Sequence, residues 1–170
     1  MRKQLTLAAV LTLALGACGD SGLSAEEVSS IPPGDAVGKA LTGLYTVEVT
    51  TTACSGTCPT FGSGLLEIAL CKVGYHFSQT LTVTQDNGSL SVKLPLGFYV
   101  TELKGGVSAT GAFDVGGVVT QYSTVQVIGR ASGTFNGNGV TGEDRTRGTG
   151  NYEGTQINCT GTYSFTGSRK

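Results

Sequence analysis

The chain has 170 residues, and its 11 lysines and arginines nearly balance its 12 aspartates and glutamates, which leaves a formal net charge of −1. A weakly acidic chain of this kind lacks the clustered basic face that nucleic-acid binding requires, so nucleic acid is excluded as a partner. Glycine accounts for 27 residues and tryptophan for 0, and a glycine share about twice the usual one is typical of many short strands joined by tight turns.

The first 17 residues have the pattern of an export signal that is removed from the mature protein. Two basic residues are followed by an apolar run over 5–15, which fits a signal peptide but is too short to cross a bilayer, since a spanning helix needs about 20 residues. The run ends in Leu-Gly-Ala-Cys at 15–18, which resembles the lipobox of bacterial lipoproteins. That resemblance implies cleavage before Cys18 and a lipid on its thiol. The alternative is an ordinary secretory signal followed by an incidental cysteine.

The residues after the cysteine predict where the domain is held. Gly19, rather than an aspartate, follows Cys18, and by the lipoprotein resemblance this favours the cell envelope at the outer membrane, on its periplasmic or its outer face. Residues 18–40 are rich in Ser, Gly, Pro and Ala, which predicts a lipidated N terminus and a flexible tether about 25 Å long, with at most one helical turn before its two prolines. The folded domain is expected over 41–170.

The remainder has the pattern of a series of strands in which apolar and polar residues alternate. Asp-Asn-Gly at 86–88 and the asparagine–glycine cluster at 136–139 predict tight turns, because both residue types tolerate a positive φ. Such short connections favour an antiparallel sheet of about eight to ten strands. The predicted strands cover 43–51, 75–85, 89–94, 98–103, 107–115, 117–122, 125–135, 140–147 and 156–167.

A sheet with one apolar face must either curl into a barrel or pack on a second sheet. We predict an all-β fold with a single antiparallel up-and-down β-barrel, because hairpin-length connections dominate and glycines recur on the inward faces, as in a strongly bent sheet. A β-sandwich is the alternative. The first and last strands both carry Gly-x-Tyr, at 43–45 and 161–163, which indicates that these two strands meet where the barrel closes.

Two short motifs resemble those of known barrel families. Gly43-Leu44-Tyr45, with Arg169 near the C terminus, resembles the lipocalin and avidin-like barrels, in which a Gly-x-Trp packs under a basic residue; here tyrosine replaces the tryptophan. The segment GTGNYEG at 148–154 resembles a loop of dirigent-like and allene-oxide-cyclase-like barrels. Both resemblances imply a lipocalin-like barrel architecture, and neither implies an activity.

Four cysteines remain after Cys18, and an even set in an exported chain predicts two disulfides. All three pairings are open. We favour a bond from Cys159 into the 54–71 segment, because it would pin that irregular stretch to the last strand. A zinc site is not expected, because it would need all four thiolates. The four residues are Cys54, Cys58, Cys71 and Cys159.

The same alternation places aromatic side chains inside the predicted barrel. Small residues share this inward face, namely Ala109, Gly111, Gly129, Ala131 and Gly133. The interior therefore has room for a small apolar ligand unless the rings themselves fill it. The seven aromatic residues expected to line it are Tyr45, Tyr75, Phe77, Phe113, Phe135, Tyr163 and Phe165.

The sequence carries no signature of an enzyme, a cofactor or a metal site. His76 is the single histidine and is predicted on a polar, solvated face, and the charged residues over 143–147 are predicted to form a solvated, salt-bridged surface strand. The preferred function is a lipid-anchored, non-catalytic β-barrel that binds a small apolar ligand. The alternative is an interaction lipoprotein, such as a hydrolase inhibitor, that contacts a cell-envelope protein through loops such as 53–64.

Overall fold

Eight strands close into an antiparallel β-barrel in this computed structural model, in which each barrel strand pairs with the next along the chain and the last pairs with the first. The structure describes residues 23–170 apart from 59, 62–67, 70, 97–98, 122–123 and 153. The signal segment over 1–17, Cys18 and Gly19 lie outside the described residues. The predicted up-and-down barrel is confirmed. The β-sandwich alternative is wrong, because the sheet closes on itself instead of facing a second one.

Eleven elements make up the described chain, of which β2 and β3 form a small separate pair in the connection between β1 and β4. The bounds are α1 (Ala25–Ser29), β1 (Gly43–Thr57), β2 (Thr60–Phe61), β3 (Ile68–Ala69), β4 (His76–Asp86), β5 (Ser89–Leu96), β6 (Tyr99–Val107), β7 (Ala112–Gln121), β8 (Val125–Asn136), β9 (Gly139–Tyr152) and β10 (Thr155–Arg169).

The stretch predicted as one strand over 107–115 is divided by a tight turn. Val107 ends β6, and the chain reverses over 108–111 before β7 begins. Gly111 has a φ of 84°, a conformation that favours glycine. The prediction that Ala109 and Gly111 face the interior is therefore wrong, and Ala109 is exposed in the turn. The strand predicted next along the chain is the second half of β7.

The barrel closes between β1 and β10, as the shared Gly-x-Tyr motifs predicted. Their pairing places Tyr45 opposite Arg169 and Tyr163 opposite Thr51, so the two motifs lie at different heights along the seam. The Arg169 side chain covers Gly43, where an added methyl group would lie 3.0 Å from the arginine Cδ. Glycine at this position therefore lets the last side chain of β10 lie flat across the first residue of β1.

The residues that precede β1 run along the outside of the barrel and form a strap (23–42). The Gly34 N–H donates to the Gly88 carbonyl at 2.9 Å, and the Ala36 N–H donates to the Val107 carbonyl at 3.1 Å. The flexible tether predicted as far as residue 40 is therefore wrong for this part of the chain. Its backbone groups bond to the turns at one end of the barrel, which we call the lower end.

The strap begins with α1, which is docked on β7 and β8. The Ser24 hydroxyl accepts from the Glu27 N–H at 3.1 Å, and the Glu27 carboxylate accepts from the Ser24 N–H at 3.0 Å, so a capping box starts the helix. Leu23 and Val28 are buried against Ile128 on the outer face of β8. A single short turn is marginal alone, so these apolar contacts hold the helix in place.

Glycines on the barrel wall leave room for the strap. A methyl group on Gly116 would lie 2.7 Å from Val28 Cβ and 2.9 Å from Ile31 Cδ1, and one on Gly105 would lie 2.8 Å from Ile31 Cγ2. These distances are shorter than carbon atoms tolerate. The abundance of glycine thus has a second cause besides the bending of the sheet, because the missing side chains let the strap approach the wall.

Substituting Gly116 by alanine is expected to displace α1 from the barrel and to lower the free energy of unfolding by about 1–3 kcal/mol, the usual cost of overpacking. Urea denaturation measures the loss, and faster amide hydrogen exchange over 24–31 locates it. Gly129→Ala is the matched control, because its methyl group would lie 3.6 Å from the nearest side-chain atom, inside the barrel. Equal stability of the two variants would contradict a role of Gly116 in docking the strap.

Candidate functional site: the barrel cavity

The barrel encloses a cavity of about 450 Å³ whose wall is mainly apolar. The alternation of each strand creates it, because every second residue points inward. Valines and leucines occupy the wall between the rings, and Gly129 and Ala131 take up little of the interior. The structure brings all seven aromatic residues singled out in the sequence to this one cavity: Tyr45, Tyr75, Phe77, Phe113, Phe135, Tyr163 and Phe165.

Aromatic rings close the lower end of the cavity. The ring centroid of Phe135 lies 5.5 Å from that of Tyr45, in an edge-on arrangement, and 4.9 Å from that of Phe113. Tyr45 is fully buried, and its hydroxyl donates to the Leu41 carbonyl at 3.0 Å. Leu41 belongs to the strap and packs against the same cluster. The strap and the rings together therefore seal this end.

The opposite end is the mouth of the cavity, beside the connection between β1 and β4. Tyr75 is 52% exposed there, and its ring stacks on Phe77 with a centroid distance of 5.8 Å. Lys72 lines the same rim and is exposed. Of the seven aromatic residues, Tyr75 is thus the one that a molecule outside the barrel would meet first.

Two disulfides hold the mouth. Cys54 bonds to Cys71, which ties the segment before β4 to β1, and Cys58 bonds to Cys159 across the seam with β10. The predicted disulfide set is confirmed, and so is the favoured bond from Cys159 into the 54–71 segment. The two bonds fix the described segments of this rim to one another, and a preformed site loses less entropy when it binds.

One carboxyl group lies inside this apolar cavity. Asp144 points inward from β9, and its Oδ1 is buried without a hydrogen-bond partner among the described residues. Loss of water on burial, opposed by a hydrogen bond from the Arg145 N–H and aided by the charge of Glu143, raises the pKa of Asp144 to about 7. The carboxyl therefore exchanges its proton near neutral pH.

Two hydroxyl side chains share the cavity wall with this carboxyl. Tyr163 lies opposite Asp144 in the pairing of β10 with β9, and Thr146 follows two residues along β9 on the same face. Burial raises the pKa of Tyr163, and the Asp144 charge adds to the rise, whereas the hydrogen bond between Tyr163 and Thr146 lowers it. We call these three residues the polar patch (Asp144, Thr146 and Tyr163).

The prediction of a solvated surface strand over 143–147 is wrong for Asp144. Adjacent strand residues do point to opposite faces, so Asp144 diverges from Glu143 as expected, but the face it takes is the barrel interior. The missed signal is in the alternation itself. The inward positions of β9 include Val140 and Gly148, and Asp144 occupies the same series.

The outer wall of the barrel carries its own ion pairs. Arg130 donates to both carboxylate oxygens of Asp114, at 2.9 and 2.6 Å, and this hydrogen bonding raises the pKa of Arg130. His76 is exposed, and its Nδ1 lies 2.8 Å from the Thr50 hydroxyl, which matches the solvated position predicted for it. These groups face away from the cavity and do not contribute to its chemistry.

No protein-family model matches the sequence, and no curated protein matches it significantly. In the described part of the chain, no helix is both long enough and apolar enough to span a membrane. Over the same residues, His, Cys, Asp and Glu do not gather in threes in a way that would hold a metal ion.

Proposed function

We propose that the protein is an exported lipoprotein whose barrel binds a small, largely apolar ligand. The observation that carries the proposal is the cavity of about 450 Å³, which lies within the range of small-molecule sites, about 300–1,000 Å³. Its apolar wall, its sealed lower end and its braced mouth are the features of a binding pocket. Water inside such a wall is displaced favourably by an apolar molecule, at about 25 cal/mol for each Å² of apolar surface buried.

The rings do not fill the barrel, and this favours binding over a purely structural interior. Gly129 leaves space, since the nearest atom to an added methyl group there would be 3.6 Å away. Ala131 on the same strand also lines the cavity. Protein interiors are otherwise packed to crystal-like density, so an open volume of this size costs stability unless a ligand occupies it.

Blocking the cavity tests the binding function. Wild-type protein is expected to bind the neutral apolar dye N-phenyl-1-naphthylamine saturably and with one site, which a fluorescence titration measures. Ala131→Phe should weaken this binding at least tenfold, because the new ring would occupy the cavity. Ser132→Phe is the matched control, because Ser132 is the next residue on β8 and is exposed on the outer wall. Equal binding by both variants, or no saturable binding by the wild type, would contradict the proposal.

The lipid anchor is the second part of the proposal. Four of the five cysteines are paired in the two disulfides, so Cys18 is the cysteine left to carry another group. Mass spectrometry of the protein expressed in a bacterium and extracted from its membranes should give a chain that starts at Cys18 and carries a diacylglyceryl group. The Cys18→Ser variant should no longer be found in the membrane fraction. A mature chain with an unmodified Cys18 would contradict the anchor and leave the ligand proposal intact.

A further inference from the structure

We infer that the ligand of this barrel is an amphiphilic amine, an apolar molecule whose single protonated nitrogen pairs with Asp144 inside the cavity. The inference rests on the proposed ligand-binding function and adds the chemical class of the ligand. It starts from one contradiction in the site, which is that a mainly apolar cavity contains a carboxyl group with a buried, unpartnered oxygen.

A purely apolar ligand would not resolve that contradiction. It would expel water from the cavity and leave Asp144 Oδ1 without any partner, which costs about 1–3 kcal/mol for a neutral polar group and more for a charged one. A ligand that donates a hydrogen bond at this point removes the cost. The polar patch therefore favours a molecule with an apolar body and one donor group.

The surroundings favour a cationic donor over a neutral one. A bond between an ammonium group and a carboxylate is roughly twice as strong as one between neutral groups. Aromatic rings line the same cavity, and their faces attract cations. Two of these rings, Tyr163 and Phe165, lie on β10 next to β9. Two others, Tyr75 and Phe77, lie toward the mouth. In the described part of the wall, the aromatic rings surround one carboxylate, an arrangement that is suited to a protonated amine and repels an anion.

Few other charged groups face Asp144. Tyr163 on β10 stays neutral near physiological pH because its pKa is raised, and β8 places Ala131 opposite Asp144. Lys72 lies on the exposed rim of the mouth. On β9 itself, Thr146 carries no charge, and Glu143 and Arg145 occupy outward positions of the strand. Among the described residues of the cavity wall, a ligand cation would therefore find one carboxylate, that of Asp144.

The inference has a pH consequence, because a proton and the ligand cation compete for Asp144. The carboxyl is ionised above about pH 7, where an amine with a pKa near 10 is still protonated, so both partners are charged at pH 8. Below pH 7 the carboxyl of Asp144 is mostly protonated and cannot pair with the cation. Affinity for the amine is then expected to fall about tenfold for each pH unit, while affinity for an uncharged analogue stays nearly constant.

The test compares two probes of equal chain length, decylamine and 1-decanol, by calorimetric titration of the barrel from pH 5 to pH 8.5. Wild-type protein is expected to bind decylamine at least tenfold more tightly than 1-decanol at pH 8 and to lose that preference at pH 5. Asp144→Asn, which keeps the shape of the side chain, should bind both probes alike at every pH. Glu143→Gln on the outer wall is the matched control and should retain the preference.

Each other outcome is decisive. Equal affinity of the wild type for the two probes at pH 8 would overturn the amine inference and leave an apolar-ligand protein. If Asp144→Asn still prefers decylamine over 1-decanol, a group other than Asp144 binds the amine. Binding of neither probe would overturn the proposed function as well. The wild-type pH profile alone decides the inference if Asp144→Asn fails to fold.

Discussion

Replacing Cys58 and Cys159 together by serine is expected to lower the free energy of unfolding by about 4–5 kcal/mol. The bond joins residues 101 apart in the sequence and encloses most of the barrel. Cross-linking so long a loop restricts the unfolded chain strongly, and the stabilisation grows with the logarithm of loop length. Urea denaturation of the oxidised wild type and of the double variant measures the difference directly.

The second disulfide supplies the matched control. Cys54 and Cys71 are only 17 residues apart, so their double serine variant is expected to lose about 3 kcal/mol. It should also loosen the mouth more than the barrel, because the bond ties down only the segment before β4. A loss for the Cys54/Cys71 variant as large as that for the Cys58/Cys159 variant would contradict the loop-length explanation and indicate that local contacts at the rim dominate.

Asp144→Asn is expected to make the protein more stable than wild type above neutral pH and to remove a pH dependence of about 4 kcal/mol between pH 4 and pH 8. In the unfolded chain an aspartate loses its proton near pH 3.9. In the barrel, burial raises the pKa of Asp144 to about 7. The folded state therefore binds the proton more tightly, and its stabilisation is complete below about pH 4 and disappears as the pH rises through 7.

Asparagine resembles the protonated carboxyl and does not titrate, so its stability should lack this slope of about 1.4 kcal/mol per pH unit. Urea denaturation of both proteins at pH 5, 6, 7 and 8 gives the difference curve, which cancels the titration of every other group. Glu143→Gln should keep a slope of the same sign over a pH range that ends lower, because Asp144 still titrates but loses the contribution of the Glu143 charge to its raised pKa. Parallel curves for wild type and Asp144→Asn would show that water or a partner stabilises the ionised carboxylate inside the barrel.

The barrel and its aromatic lining are predictable from the sequence because both depend on one local rule. Side chains alternate between the two faces of a strand, so apolar residues two positions apart share one face. Pairs such as Phe113 and Val115, or Tyr163 and Phe165, therefore identify the inward face even when the neighbouring strands are not known. The closure between β1 and β10 was predictable for a similar reason. An up-and-down order with short turns leaves only the first and last barrel strands to meet.

The strap was not predictable by the same means, because its position depends on contacts between residues far apart in the chain. Leu23, Val28 and Ile31 are too few and too widely spaced to show a helical or strand period. Besides the Ile128 side chain, their partners are positions without a side chain, because Val28 and Ile31 lie over Gly116 and Ile31 also lies over Gly105. A glycine gives no sign in the sequence of what approaches it.

Asp144 shows a different limit. Its inward position follows from the alternation, but charged residues are almost always exposed, and that prior outweighed the pattern in a strand that also carries Glu143 and Arg145. The turn at 108–111 shows the reverse case. There the alternation continued through residues that do not belong to a strand, because alanine and glycine fit either a turn or an inward face.

With the proposed lipid on Cys18, the docked strap would limit how far the barrel lies from its anchor. Leu23 follows Cys18 by five residues, and five residues of fully extended chain reach roughly 17 Å. Leu23 contacts Ile128, and Ile128 is the neighbour of Val127, which lines the cavity. The link between the proposed lipid and the docked strap would therefore be short. The outer wall of β7 and β8, on which the strap is docked, would then be the side of the barrel nearest the proposed anchor.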